Sequence, residues 1–393
     1  MSFTDTLKAQ RHAIRDYGMY VAFVVIVIFF TIATKGLFIS SRNIGNLVNA
    51  TSYIAVLAVG MTLVIVIRHI DLSVGYLAGT LGAVAAISLK YWNVPVVPTV
   101  LLVLALGIVA GLVTAFLVAQ MGIPAFVATL AGWLFYQGLL QLVTRGTGTI
   151  VIDNEVFNAL GNGFIPEIPG LTFWPEVHKA TLLLGLLAII LFIVNEVNNR
   201  RKTQAYHFEV LPTNMFILKL VFVSAVIAGI TWVMAGYQGL SWAAVILIVV
   251  VLIYSYITTR TVVGRHIYAV GGNPEAAELN GISVKKITFL VFGSMGLLTG
   301  LAGILYASWL RSATTIAGRG MELDAIAAAF VGGAAVAGGV GKVTGSILGA
   351  LVMASLTNGM NLMGADISIQ YMVRALVLAA AVVFDVATRR MAQ

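Results

Sequence analysis

A chain of 393 residues that is 60% hydrophobic and only 10% charged has too little polar surface to face water on every side, because soluble domains carry about 25% charged residues. It has no cysteine, which excludes disulfides, thiolate nucleophiles and cysteine metal sites. Its net charge of +8 fits basic loops beside a membrane better than a nucleic-acid surface.

A helix needs about 20 apolar residues to cross about 30 Å of hydrocarbon. Runs of that kind fall near 18–38, 47–67, 72–89, 95–119, 123–144, 178–195, 215–236, 240–258, 287–306, 324–340, 343–358 and 368–386. They predict a single all-α transmembrane domain over 1–393, a polytopic helical bundle of about 10–12 spans. The short or Gly-rich runs at 72–89 and 324–358 are expected to be broken or partial. The runs do not alternate as β-barrel strands do. The first run lacks a small-residue cleavage site, so it is expected to be a span rather than a signal peptide.

Lys and Arg in short loops set the orientation. With the N-terminus inside, the cytoplasmic face receives Lys8, Arg11, Arg15, Arg68, Arg200, Arg201, Lys202, Lys219, Arg260, Arg265, Lys285, Lys286, Lys342, Arg389 and Arg390. The outer face receives the smaller set Lys35, Arg42, Lys90, Arg145, Lys179, Arg311 and Arg319. Both termini are therefore expected in the cytoplasm.

The first polar interruption is Arg68-His69-Ile70-Asp71-Leu72-Ser73, between two apolar runs. Ionisable groups at membrane depth are costly and tend to mark a pathway. Asp71 and Ser73 are thus candidate path residues; the alternative is a short cytoplasmic turn in which they cap the next helix. His69 has no second ligand at metal-binding spacing, so no metal site is expected.

Residues 146–177 form the long outer, periplasmic loop. It carries Asp153, Glu155, Glu167 and Glu176, and Pro166, Pro169 and Pro175 argue against a regular helix there. Between 196 and 214, Arg200-Arg201-Lys202 has the character of a stop-transfer signal.

Residues 259–286 form the long inner loop, and within it lies a fully punctuated short helix. Asn273 suits the N-cap and Pro274 the first helical position, where a missing N–H costs nothing. Glu275 favours the positive end, Ala276, Ala277 and Glu278 continue the helix, and Gly281 suits a left-handed exit. A helix of about two turns is marginal alone in water. It is either a knob for a cytoplasmic partner or a tidy connector.

Beyond Gly320-Met321-Glu322-Leu323-Asp324 the chain is dense in Gly and Ala, and Gly341, Gly345 and Gly349 recur every four residues. That spacing lets helices approach closely in lipid, within one chain or at a dimer seam. Gly339-Val340-Gly341-Lys342 invites comparison with a phosphate-binding loop, but Val336 and Val343 stand where that motif needs Gly and Ser or Thr. Polar residues in the spans are otherwise sparse: Gln137, Gln141, Asn358, Asn361, Gln370 and Arg374. Asn358, Asn361 and Gln370 join the candidate path. The acids are expected at span ends and in loops, with Asp385 beside Arg389 as a helix-surface pair. No catalytic set shares a frame, so an enzyme is not expected.

Four stretches in order carry a resemblance: AVGMTLVIVIRHIDLSVG (58–75), GIPAFVATLAG (122–132), GRHIYAVGGNPEAAELNGI (264–282) and ELDAIAAAFVGGAAVAGGVG (322–341). They resemble the permease family of bacterial ABC importers for monosaccharides. The branch is that of ribose, xylose and galactoside, and the chain looks most like xylose-type permeases, with their extra segment at about 178–236. The family usually has a small residue before Ile-Asp-Leu-Ser, where this chain has Arg68-His69.

The resemblance implies a multi-pass protein of the bacterial inner membrane, without a cofactor and with no nucleic-acid partner. It implies a homodimer of two permease copies in the lipid, a separate cytoplasmic ABC ATPase and a periplasmic sugar-binding protein. It also implies that 273–281 is the ATPase-coupling segment. D-xylose is the first expected cargo, with galactose, glucose or arabinose behind it. The alternative is an ion-coupled secondary sugar carrier.

Overall fold

The computed structural model describes residues 21–170, 174, 177–206, 210 and 213–390, and their side chains except those of 381 and 384–390. The basic N-terminal residues Lys8, Arg11 and Arg15, together with Pro175, Glu176 and the Asp385–Arg389 side-chain pair, lie outside the described residues.

The helices run α1 Val21–Ala33, α2 Ser41–Val66, α3 Val74–Lys90, α4 Val96–Ala119 and α5 Ala125–Val143. Strand β1, Thr149–Val151, and helix α6, Glu155–Asn162, follow. Then come α7 Lys179–Ala205, α8 Thr213–Ala235, α9 Trp242–Arg260, α10 Val262–Gly272, α11 Pro274–Leu279 and α12 Val284–Leu310. Strand β2, Ser312–Thr314, precedes α13 Met321–Val331, α14 Val343–Leu362 and α15 Ile367–Arg390. Among the described residues, 8 helices are long and apolar enough to cross a membrane, and Val21–Ala33, Val74–Lys90 and Ile367–Ala380 are shorter apolar helices. The all-α polytopic bundle follows.

The chain divides into two compact units. One holds the described residues of 1–38, 47–163 and 243–393; the other holds 39–46 and 164–242. In the second, α7 and α8 pair through Gly185 against Thr231, with Lys219 Nζ 2.7 Å from Glu196 Oε2. Much of their remaining surface is exposed and apolar, including Leu186, Leu191, Val221 and Phe222, while the last turns of α7 expose Arg201 and Lys202. A continuous face of that kind is stable in lipid, not in water.

In the first unit, α2, α3 and α12 carry the core, with Leu57, Met61, Val64, Phe292, Met295 and Leu298 all buried. Helix α4 lies against α12 so closely that a Cβ on Gly107 would sit 2.3 Å from the Gly296 carbonyl oxygen. Small residues permit that approach, which gains dispersion contacts in the absence of a hydrophobic drive.

Two expectations need correction, while a third is met. Run 324–340 is partial, as expected: α13 is 11 residues long and stops at Val331, and its cap Gly332 opens a glycine-rich turn that leads to α14. Gly338 and Gly339 there have φ of +80° and +71°, which β-branched residues resist. Run 72–89, by contrast, forms one unbroken helix of 17 residues. Segment 146–177 is not devoid of regular structure. Helix α6 forms ahead of the prolines, opened by Asn154 accepting from Phe157 N at 2.9 Å. Strand β1 pairs antiparallel with β2, Ile150 opposite Ala313, and both residues are buried.

Candidate functional site

The segment between α9 and α12 is two helices and an elbow. Thr261 opens α10 by accepting from Gly264 N at 3.2 Å. Ile267 and Val270 turn one face of α10 into the core. Asn273 closes α10 and opens α11: its N–H donates to Ala269 O at 3.0 Å, and its Oδ1 accepts from Ala276 N at 3.0 Å. Pro274 takes the first position of α11, as the capping rules require. At the exit, Gly281 adopts φ +80°, its N–H donates to Glu278 O at 2.9 Å, and Ile282 N donates to Ala277 O at 3.0 Å. Ser283 then caps α12 by accepting from Lys286 N at 3.3 Å.

Within α11 the faces divide sharply. Ala277 is buried against the first unit's core, which anchors a helix too short to stand alone. Glu275 and Glu278 are exposed, and Leu279 is 90% exposed. The exposed side of this doubly capped helix thus combines one apolar side chain, Leu279, with the two carboxylates Glu275 and Glu278.

Four of the five candidate path residues fall into two separate pairs. Asp71 is buried and its Oδ1 accepts from both Ser73 N at 2.9 Å and Ser73 Oγ at 2.6 Å. Ser73 therefore turns its hydroxyl back to Asp71 and does not cap α3 with its side chain. Gln370, also buried, donates to Asn361 Oδ1 at 2.7 Å and to Ala365 O at 3.1 Å, tying α15 to the end of α14. Asn358 is half-buried on α14. The glycine series packs inside the chain. A Cβ on Gly345 would meet Gly332 O at 2.1 Å, and one on Gly349 would meet Ala328 O at 2.0 Å. Gly341 precedes α14 and faces Val66 and Thr62. These faces are filled by α13 and α2 of the same chain.

The two acids after Gly320 do sit at a helix end, in the first turn of α13, but they are paired inside the protein and not left to water. Glu322 is 6% exposed, and its Oε1 accepts from Trp133 Nε1 of α5 at 3.1 Å. Asp324 accepts from Arg374 Nη1 of α15 at 2.7 Å. Sequence inspection had a signal for the second pair: an arginine inside an apolar span demands a nearby acid. It had none for the first. Helix α10 was also legible in principle, from Thr261 at its start and the buried spacing of Ile267 and Val270.

The comparisons converge. Residues 43–382 match the permease family described as "Branched-chain amino acid transport system / permease component". The chain is 36% identical to the xylose transport system permease protein XylH of Haemophilus influenzae over 98% of its own length and 99% of the relative's. It is 36% identical to the protein of the same name in Escherichia coli K12 over 95% and 92%. With the ribose import permease protein RbsC of that strain, the identity is 33% over 97% and 98%. No solved structure matches. The similarity to the ribose and xylose branch anticipated from the four stretches is borne out, and it makes the chain a transport permease rather than an enzyme. The chain belongs to this permease family, as a multi-pass protein of the inner membrane.

Proposed function

We propose that this chain is the membrane-spanning subunit of an ATP-driven monosaccharide importer, with D-xylose or a related pentose or hexose as cargo. Two copies pair in the lipid. A separate ABC ATPase docks on α11 from the cytoplasm, the side on which both termini and 259–286 lie, and a periplasmic binding protein delivers the sugar to the opposite face beside 146–177. The relatives whose printed names give xylose and ribose transport support the cargo class. The observation that carries the mechanism is Leu279, 90% exposed beside the exposed Glu275 and Glu278 on a helix whose other side is anchored by Ala277. Closure of the ATPase pushes α11, and rigid helices carry the displacement into the bundle. An uncharged sugar needs no ion in the pore. Amide and hydroxyl groups such as those of Ser73, Asn358, Asn361 and Gln370, with Asp71 as acceptor, are the proposed path.

The test is purification of the chain from membranes followed by uptake in vesicles. The ATPase is expected to co-purify with the native chain and to be lost with Leu279→Asp. Sugar accumulation by the isolated chain, driven by an ion gradient without any ATPase, would overturn the proposal and favour a secondary carrier.

A further inference from the structure

The last carbonyls of a helix have no partners within it. In α10, Ala269 O is taken by Asn273 N at 3.0 Å, but Gly271 O and Gly272 O are taken by a residue far away in sequence. Arg68, just past α2, donates through Nε to Gly271 O at 2.7 Å and through its Nη2 to Gly272 O. A planar guanidinium offers adjacent donors in a fixed fork, which two successive carbonyls match. Its positive charge also lies at the negative end of α10, where it is favoured.

Arg68 is held in place by its own backbone, in the left-handed region at φ +66°, with its N–H donating to Ile65 O at 2.9 Å. A third segment closes on the same point. In the turn between α13 and α14, Gly339 N donates to Val66 O at 2.8 Å, and Tyr268 of α10 donates its hydroxyl to Gly341 O at 2.5 Å. There is no slack: a Cβ on Gly271 would lie 1.9 Å from Val66 O, and one on Gly338 would lie 2.3 Å from Arg68 Cγ.

We infer that Arg68 is a positioning residue of the transport cycle. Its guanidinium clamps the C-terminus of α10, one residue before the Asn273 elbow, to the end of α2 beside the α13–α14 turn. A push on α11 then moves α2, α10 and α13 as one body instead of flexing the elbow. Helix α13 passes the motion on, because Glu322 and Asp324 tie it to α5 and α15. This inference rests on the docking of the ATPase at α11.

The experiment uses the complete complex of permease, ATPase and sugar-binding protein in proteoliposomes, and reads sugar moved per ATP hydrolysed. With Arg68→Ala the ATPase still co-purifies, but the ratio is expected to fall about tenfold, the size of an ordinary coupling between sites. Arg68→Lys, a single point donor, is expected to fall between the two. Tyr268→Phe removes one hydroxyl and no packing volume, so it is expected to fold and to lower the ratio as well; it serves if Arg68→Ala does not accumulate. Wild-type ratios in Arg68→Lys and Tyr268→Phe overturn the clamp. If Leu279→Asp also keeps the ATPase bound, the docking reading fails first; if it loses the ATPase while those ratios stay normal, the clamp alone fails.

Discussion

Arg374 places Nη1 2.7 Å from Asp324 Oδ1, joining α15 to the first turn of α13 across 50 residues of sequence, with each side chain only about one-fifth exposed. The guanidinium also lies over the Tyr371 ring, 5.0 Å from its centroid. Taking one partner away strands the other charge in an apolar setting, which costs about 3–5 kcal/mol. Arg374→Met is therefore expected to lower the thermal stability of the detergent-purified chain sharply. Asp324→Asn combined with Arg374→Met should recover much of the loss. Equal losses in the single and double variants would contradict a paired role.

The α13–α14 contact is a test of steric placement. Gly349→Ala sets a methyl carbon 2.0 Å from Ala328 O, against backbone that cannot yield. Overpacking of that kind costs about 1–3 kcal/mol. Gly138→Ala on α5, with nothing within 4 Å of the new carbon, is the matched control. It is expected to be neutral or to stabilise by about 0.5–1 kcal/mol, the helix preference of alanine over glycine. Melting curves of the two proteins decide it.

Helix α11 depends on its ends. Asn273→Ala removes the acceptor of Ala276 N and is expected to cost the helix about 1 kcal/mol. Asn273→Asp keeps an acceptor and should behave as the native chain. Gly281→Val forces a β-branched residue to φ +80°, a penalty of roughly 1–2 kcal/mol. Both Asn273→Ala and Gly281→Val are expected to reduce ATPase retention during purification while leaving membrane insertion intact, which fractionation measures.

In the turn between α14 and α15, the Ser368 hydroxyl and amide both donate to Asp366, and they hold its carboxyl below the ordinary value; the amide lies 2.7 Å away. A carboxyl depressed in the folded state stabilises the turn above its unfolded pKa, and that contribution is lost as pH falls through the depressed value. The Ser368 amide is therefore expected to stay protected from exchange at neutral pH. Its protection should decline only below about pH 4, the usual carboxylate range. Asp366→Asn should abolish the pH dependence, as hydrogen exchange would show.

Some of this molecule was legible from composition and local pattern. Too few charges for a watery surface, and runs long enough to cross hydrocarbon, fix an all-α membrane bundle. The caps of α11 are local chemistry: Asn273, Pro274 and Gly281 each act within four residues of themselves, and each takes the conformation its side chain dictates.

What the tertiary structure alone decided is the pairing of groups distant in the chain. Gly and Ala content could not distinguish a twelfth span from the half-helix α13 and its glycine-rich turn, because small residues serve both. Nor could spacing show that Gly345 and Gly349 face α13 of the same chain. Arg68 gave no sign in sequence of gripping Gly271 and Gly272, since a backbone carbonyl carries no side-chain signature. Local periodicity records which way a residue faces; only the folded chain records what it faces.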